Sequence, residues 1–197
     1  MTRIFVISGY HGVGKTSIWK EVCSQLDSQG NMDIVPIGEF ARGILQDGFL
    51  LDKWANLFNE DFFDDFYFGF EKMLLKIMKH FWLYWYQKGK ILVCDRSFLD
   101  ILAYCQTYLD PHLWNNFFKE KIERECLELL AIKNEIFTFV LRRAGVDDEE
   151  WVENLYSFLN EYGFPYETYW LEENFENKEA IVRYILMDIE GTKNDEQ

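Results

Sequence analysis

Apolar residues fall along this chain in two rhythms. Short unbroken runs such as Ile4-Phe5-Val6-Ile7, Ile91-Leu92-Val93-Cys94 and Phe139-Val140-Leu141 are bounded by glycine or charge. They are too brief for helices and rich in branched or aromatic side chains, which suits strands buried on both faces. Elsewhere apolar residues return every third or fourth position, as Ile18, Val22 and Leu26 do, and that is the helical period. The pattern predicts strands at 3–7, 33–36, 90–94, 136–141 and 166–171. It predicts helices at 15–29, 52–87 (in one or two pieces), 97–106, 111–131, 147–162 and 178–189, with a short helix at 38–42. Strands alternating with helices imply an α/β fold, a five-stranded parallel sheet with helices on both faces. The expected organisation is one domain over residues 1–190 and a polar, frayed tail over 191–197.

Pro36, Pro111 and Pro165 each fall at an edge of these elements, and neither a repeat nor a low-complexity linker interrupts them. Phe58, Phe62, Phe66 and Phe70 recur at every fourth position of the long helical stretch and read as a core stripe. Aromatic residues make up 18% of the chain and crowd residues 56–86, so that region buries much of its surface or meets a partner.

A net charge of −14 repels polyphosphate strands at long range and argues against broad nucleic-acid binding. The strongest local basic cluster is Lys72, Lys76, Lys79 and His80, spaced for one side of a helix. It reads as a solvated face before it reads as a landing strip for a nucleic-acid end. Cys23, Cys94, Cys105 and Cys126 form no C-x-x-C pair and share no metal-ligand spacing with the histidines, which suits reduced thiols. The apolar stretch 73–86 is broken by Lys76, Lys79 and His80, so no membrane span is expected. With no signal-peptide pattern, the expected location is the cytoplasm.

The first strand runs directly into Gly9-Tyr10-His11-Gly12-Val13-Gly14-Lys15-Thr16, which fits the phosphate-loop pattern G-x-x-x-x-G-K-[ST]. Glycines let the backbone curl until successive N–H groups point at phosphate oxygens. Lys15 adds a positive charge for the β and γ phosphates, and the Thr16 hydroxyl is a magnesium ligand of the usual kind. The helix that follows presents its positive dipole end to the same anion. Gly9, His11, Gly12, Val13, Gly14, Lys15, Thr16 and Ser17 are therefore the candidate residues for ATP, with Mg2+ at Thr16.

A second segment narrows the chemistry. GTPases need a guanine-reading N-K-x-D, which is absent. Motor and AAA-type ATPases usually end their second key strand in paired acids, one for magnesium and one to activate water. Here the strand 90–94 ends in Asp95-Arg96-Ser97, an acid followed by a cation. An arginine beside the γ-phosphate suits a second anionic substrate or the transferring group.

The run from Asp95 to Tyr104, with its Leu102-Ala103-Tyr104, resembles the D-R-x…L-A-Y segment of thymidylate kinases. It is equally similar to related P-loop nucleoside kinases and the ribosylnicotinamide-kinase-like group. Ser8 to Thr16 resembles that last group of ATP-binding proteins, and Glu39-Phe40-Ala41-Arg42 is similar to their E-x-x-R after the second strand. The resemblance implies a P-loop kinase fold and ATP- and Mg2+-dependent phosphoryl transfer to a nucleoside or nucleoside monophosphate. By position it implies Asp95 as the acid near the acceptor hydroxyl or phosphate, acting as a base or through magnesium-bound water, and so a metal residue beside Thr16. Arg96 would contact the acceptor or the phosphoryl group in flight, and Glu39 and Arg42 would line the acceptor pocket. Phe62 and Phe66 lie where such kinases stack an acceptor base. Arg142 and Arg143, expected in a closing loop after the fourth strand beside Gly145, would neutralise transition-state charge. That loop is shorter than the thymidylate-kinase lid and lacks its spaced arginines.

Each of these residues also has a structural reading: Asp95 and Arg96 as an ion pair at a strand end, Glu39 and Arg42 as a surface i,i+3 pair, and Arg142 and Arg143 as surface charges. Two other functions fit the same motifs, a kinase of polynucleotide ends or modified DNA bases and a nucleotide-gated interaction module without phosphoryl transfer. A homodimer is compatible with this size.

Overall fold

The computed structural model describes residues 3–30, 33–39, 60–172 and 176–194, with side chains described over 67–172 and 176–191 in the latter two segments. Five parallel strands pair in the order β2-β3-β1-β4-β5. β1 (Ile4–Ser8) lies at the centre between β3 (Ile91–Asp95) and β4 (Ile136–Arg143), with β2 (Ile34–Ile37) and β5 (Tyr166–Leu171) at the edges. The helices are α1 (Lys15–Ser28), α2 (Glu60–Gln87), α3 (Phe98–Tyr108), α4 (Pro111–Leu113), α5 (Lys119–Leu130), α6 (Glu149–Tyr162) and α7 (Lys178–Asn194). The expected α/β architecture is the observed one.

Alternate residues of each strand serve opposite cores, which is why the strands read as unbroken apolar runs. Ile4 and Val6 point into the larger core with Leu75 and Trp82 of α2, Leu102 of α3 and Leu155 of α6. Phe5 and Ile7 point into the second core with Ile18 and Val22 of α1 and Val182 and Ile185 of α7. Burial of this layered kind is the main stabilising term of such a sheet.

The ends of elements depart from the apolar pattern in a consistent direction. β1, β2 and β3 each begin and end one residue later than residues 3–7, 33–36 and 90–94. Strand pairing is made by backbone groups, so it continues past the last apolar side chain: Ile7 pairs with Asp95 and Ser8 with Val140. β4 extends furthest and takes up Arg142 and Arg143, opposite Trp170 and Leu171. The arginines expected in a loop therefore belong to a strand. α7 runs on through Gly191 to Asn194, beyond the expected end at 189, because helical hydrogen bonds need no apolar face. The helix expected at 111–131 is divided by a π-helical segment (Trp114–Phe118) that turns both Trp114 and Phe118 inward.

Part of the expected short helix at 38–42 and the start of the long one, 52–59, lie outside the described residues. The basic face of α2 is docked on α5: Lys79 pairs with Glu125 at 3.3 Å and Glu128 at 3.0 Å, and Lys76 with Glu125 at 3.6 Å. All four cysteines are free thiols, three of them buried. Among the described residues no helix is long and apolar enough to cross a membrane.

Candidate active site

The phosphate loop leaves the carboxyl end of the central strand, where open α/β sheets place ligands. Gly9 adopts φ 145°, and a Cβ there would come within 2.5 Å of the Leu141 carbonyl oxygen, so the loop is pressed against β4 from its first residue. Gly14 caps α1 in the left-handed region at φ 112° and makes no side-chain cap hydrogen bond. An uncapped helix N-terminus at a strand end is suited to an anion. Val13 turns its side chain into the second core, leaving only its backbone to the loop, and Ser17 is exposed on the first turn.

Lys15 is nearly buried, and its ammonium donates to the Tyr10 carbonyl oxygen at 2.7 Å. Burial, followed by the neighbouring Arg96, pushes it down to about 8. Beside it the Thr16 hydroxyl donates to Asp95 Oδ2 at 2.7 Å. Asp95 Oδ1 is buried with no hydrogen-bond partner among the described residues. Burial holds this carboxyl above its ordinary range, with Glu39 adding to the shift and Thr16, Lys15 and Arg96 opposing it. An orphaned carboxylate oxygen next to a threonine hydroxyl, both hard oxygen donors, fits a magnesium ion.

Arg96 follows Asp95 and, among the described residues, is the one non-glycine with a positive φ, 81°. Its N–H donates to the Ile7 carbonyl at 3.0 Å, which ties the turn to β1. The guanidinium is buried and shared: Nη1 donates to the Tyr104 hydroxyl at 2.8 Å, Nη2 lies 3.1 Å from His11 Nδ1, and Nε forms a 2.7 Å ion pair with Glu39. Burial opposes its charge, but Tyr104, Asp100 and Glu39 together raise its pKa. His11 moves the other way, to about 4, through partial desolvation of its ring and then through Arg96 and Lys15. A neutral His11 accepts from Arg96 through Nδ1.

The structure thus brings Lys15, Thr16, Asp95, Arg96, His11 and Glu39 together. It does not bring Arg142 in as a free cation. Arg142 donates to Asp147 at 2.7 Å and to both oxygens of Glu149 at 2.9 Å, and stacks on Trp170 at 4.7 Å. Arg143 is half-buried in a turn closed by its own N–H to Asp147 Oδ2 at 2.9 Å. This turn still flanks the loop, since a Cβ on Gly12 would meet Val146 at 3.5 Å. Arg42 lies outside the described residues, as do the side chains of Phe62 and Phe66, whose backbone belongs to α2.

Three further residues of the site are not singled out as candidates in the sequence, although Tyr104 ends the Leu102-Ala103-Tyr104 run. Tyr104 is half of the Arg96 contact. Glu71 is a buried acid on α2, pushed up to about 7 by burial, while its hydrogen bond to Tyr67 and the nearby Arg96 oppose the shift and Glu39 adds to it. Asp100 is the third residue of α3 and accepts from Ser97 in a capping box, a signal that S-x-x-D spacing does carry. No local pattern marks Glu71, whose role depends on what α2 is packed against.

A sequence family described as an AAA domain matches residues 4–178, and the chain belongs to that family. A search of curated proteins finds no match. Among solved structures the chain is similar to thymidylate kinase from Ehrlichia chaffeensis, with a TM-score of 0.57 and 14% identity over 97% of this chain and 98% of that one. The likeness is one of fold. The structure is that of a P-loop NTPase-type domain with a thymidylate-kinase-like arrangement of sheet and helices.

Proposed function

We propose that the protein is an ATP- and Mg2+-dependent kinase that phosphorylates a nucleoside or nucleoside monophosphate. The observation that carries this reading is the end of β3, where one acid, Asp95, reaches Thr16 while the next residue turns a buried arginine beside the loop. Motor and AAA-type ATPases usually place a second acid there to activate water, whereas an arginine in that place suits an anionic second substrate or the transferring group.

Gly9, Gly12, Gly14, Lys15, Thr16 and Ser17 would hold the donor phosphates, and Thr16 with Asp95 would hold the magnesium. That ion supplies charge neutralisation on the phosphate oxygens. Lys15 would leave the Tyr10 carbonyl for the phosphates, and Arg96, kept in place by Glu39, Tyr104 and His11, would lend its positive field to the charge that develops in transfer. Of the two acceptors, the uncharged nucleoside is favoured, because Arg96 is already bound by Glu39, Tyr104 and His11. An acceptor phosphate would have to displace the Glu39 carboxylate. Likewise Arg142 would have to leave Asp147 and Glu149 to reach the donor.

The test is phosphorylation of a panel of nucleosides and nucleoside monophosphates by the protein and by Lys15→Ala. Transfer to a nucleoside that falls by about a hundredfold or more in the variant is the expected result. Equal turnover in both proteins would exclude the kinase reading. Tight ATP binding without transfer to any acceptor would point instead to a nucleotide-gated interaction module.

A further inference from the structure

We propose that Asp100 is a positioning residue, gripping Ser8 and Ser97 at once and so fixing the Arg96 turn against the start of the phosphate loop. This rests on the kinase reading for its effect on turnover, but not for its geometry. Asp100 is 1% exposed and its carboxylate is filled by donors. Oδ1 accepts the Ser8 hydroxyl at 2.7 Å, and Oδ2 accepts the Ser97 N–H at 2.7 Å and the Ser97 hydroxyl at 2.9 Å. Ser8 is the residue before Gly9, and Ser97 is the residue after Arg96. One buried side chain therefore holds both neighbours of the catalytic segments.

Helix capping accounts for only half of this arrangement. A capping box needs Ser97 and Asp100 and nothing from a strand. The bond to Ser8, itself wholly buried, crosses 92 positions of sequence and serves no helix end. What it secures is the peptide between, where Arg96 sits at φ 81°, a conformation that is strained for a non-glycine residue and persists only when its surroundings impose it. A loosened turn would let Arg96 relax and swing its guanidinium away from Glu39, Tyr104 and His11.

His11 reports on that position. Partial burial holds its pKa down first, with Arg96 and Lys15 adding to that and Glu39 and Asp100 opposing, and the rings of Tyr10 and Tyr104 flank it. Ser8→Ala cuts the bond to the loop while keeping both the helix cap and the Asp100 charge. Its expected effects are a kcat about tenfold lower, a donor KM within about twofold, and a His11 titration, followed by NMR, that rises from about 4 as the Arg96 charge moves away. Ser8→Thr, which restores the hydroxyl, is expected to recover both. Unchanged kcat with His11 still titrating near 4 overturns the proposal, and so does a lower kcat without movement of His11. Should Ser8→Ala lose its fold, Ser97→Ala loosens the other grip and is read the same way. If the unaltered protein phosphorylates nothing, the kinase reading fails, yet the His11 titration still decides the role of Asp100.

Discussion

Arg96 and Arg142 stand on either side of the central strand, one just past the end of β3 and the other near the end of β4, and both are almost fully buried, at 7% and 8% exposure. Their charges are answered in opposite ways. Arg142 finds Asp147 and Glu149 within its own turn, plus Trp170 on the neighbouring strand, all in an ordinary strand conformation. Arg96 draws on His11 in the phosphate loop, Glu39 after β2 and Tyr104 on α3, and does so from a strained backbone. A buried cation with local partners is a staple for a turn. A buried cation assembled from separate segments, with one Asp95 oxygen unpaired among the described residues and Glu71 pushed up to about 7, is the arrangement on which the proposed function rests.

The largest expected effect separates these roles directly. Arg96→Ala should lower kcat/KM by about a hundredfold or more, as removal of a transition-state donor does. Arg142→Ala should leave activity per folded molecule nearly intact and cost about 2 kcal/mol of stability, read by denaturant unfolding; part of its ion pairing is exposed, so the cost falls short of that for a fully buried pair. Reversed outcomes would mean that the turn after β4, and not the one after β3, handles the phosphates.

A smaller effect tests what burial of an acid beside the Arg96 cluster costs. Glu71 has its folded pKa raised from 4.5 to about 7. The folded state thus holds the proton more tightly than the unfolded chain, and stability falls as pH rises from 4.5 to about 7. Glu71→Gln should therefore be more stable than the natural protein at pH 8, by on the order of 2 kcal/mol, and show little difference at pH 4.5. An advantage that does not change with pH would remove Glu71 from the cluster's electrostatics.

The smallest effect isolates backbone strain. Arg96→Gly and Arg96→Ala both lose the guanidinium, but only glycine is at ease at φ 81°. The glycine variant should be more stable by about 1 kcal/mol in thermal or denaturant unfolding. Equal stability would show that the turn relaxes once the side chain is gone.

Features that rest on neighbours in the chain are legible in the order of residues. The five strands, the phosphate loop and the Asp95-Arg96 step follow from apolar period, glycine spacing and motif, all of them short-range properties. Differences gather at strand ends, where polar side chains continue a backbone ladder. That is why Arg142 and Arg143 read as a loop while lying in β4.

The partners of each charge belong to a different order of information. Glu39, His11 and Tyr104 come to Arg96, and Ser8 to Asp100, only because the parallel sheet lays the ends of β1, β2 and β3 side by side. Residue order alone shows an acid, an arginine and a glycine-rich turn. Packing decides which cation is a staple and which belongs to a site, because electrostatic energies depend on burial and distance, and both are properties of the folded chain.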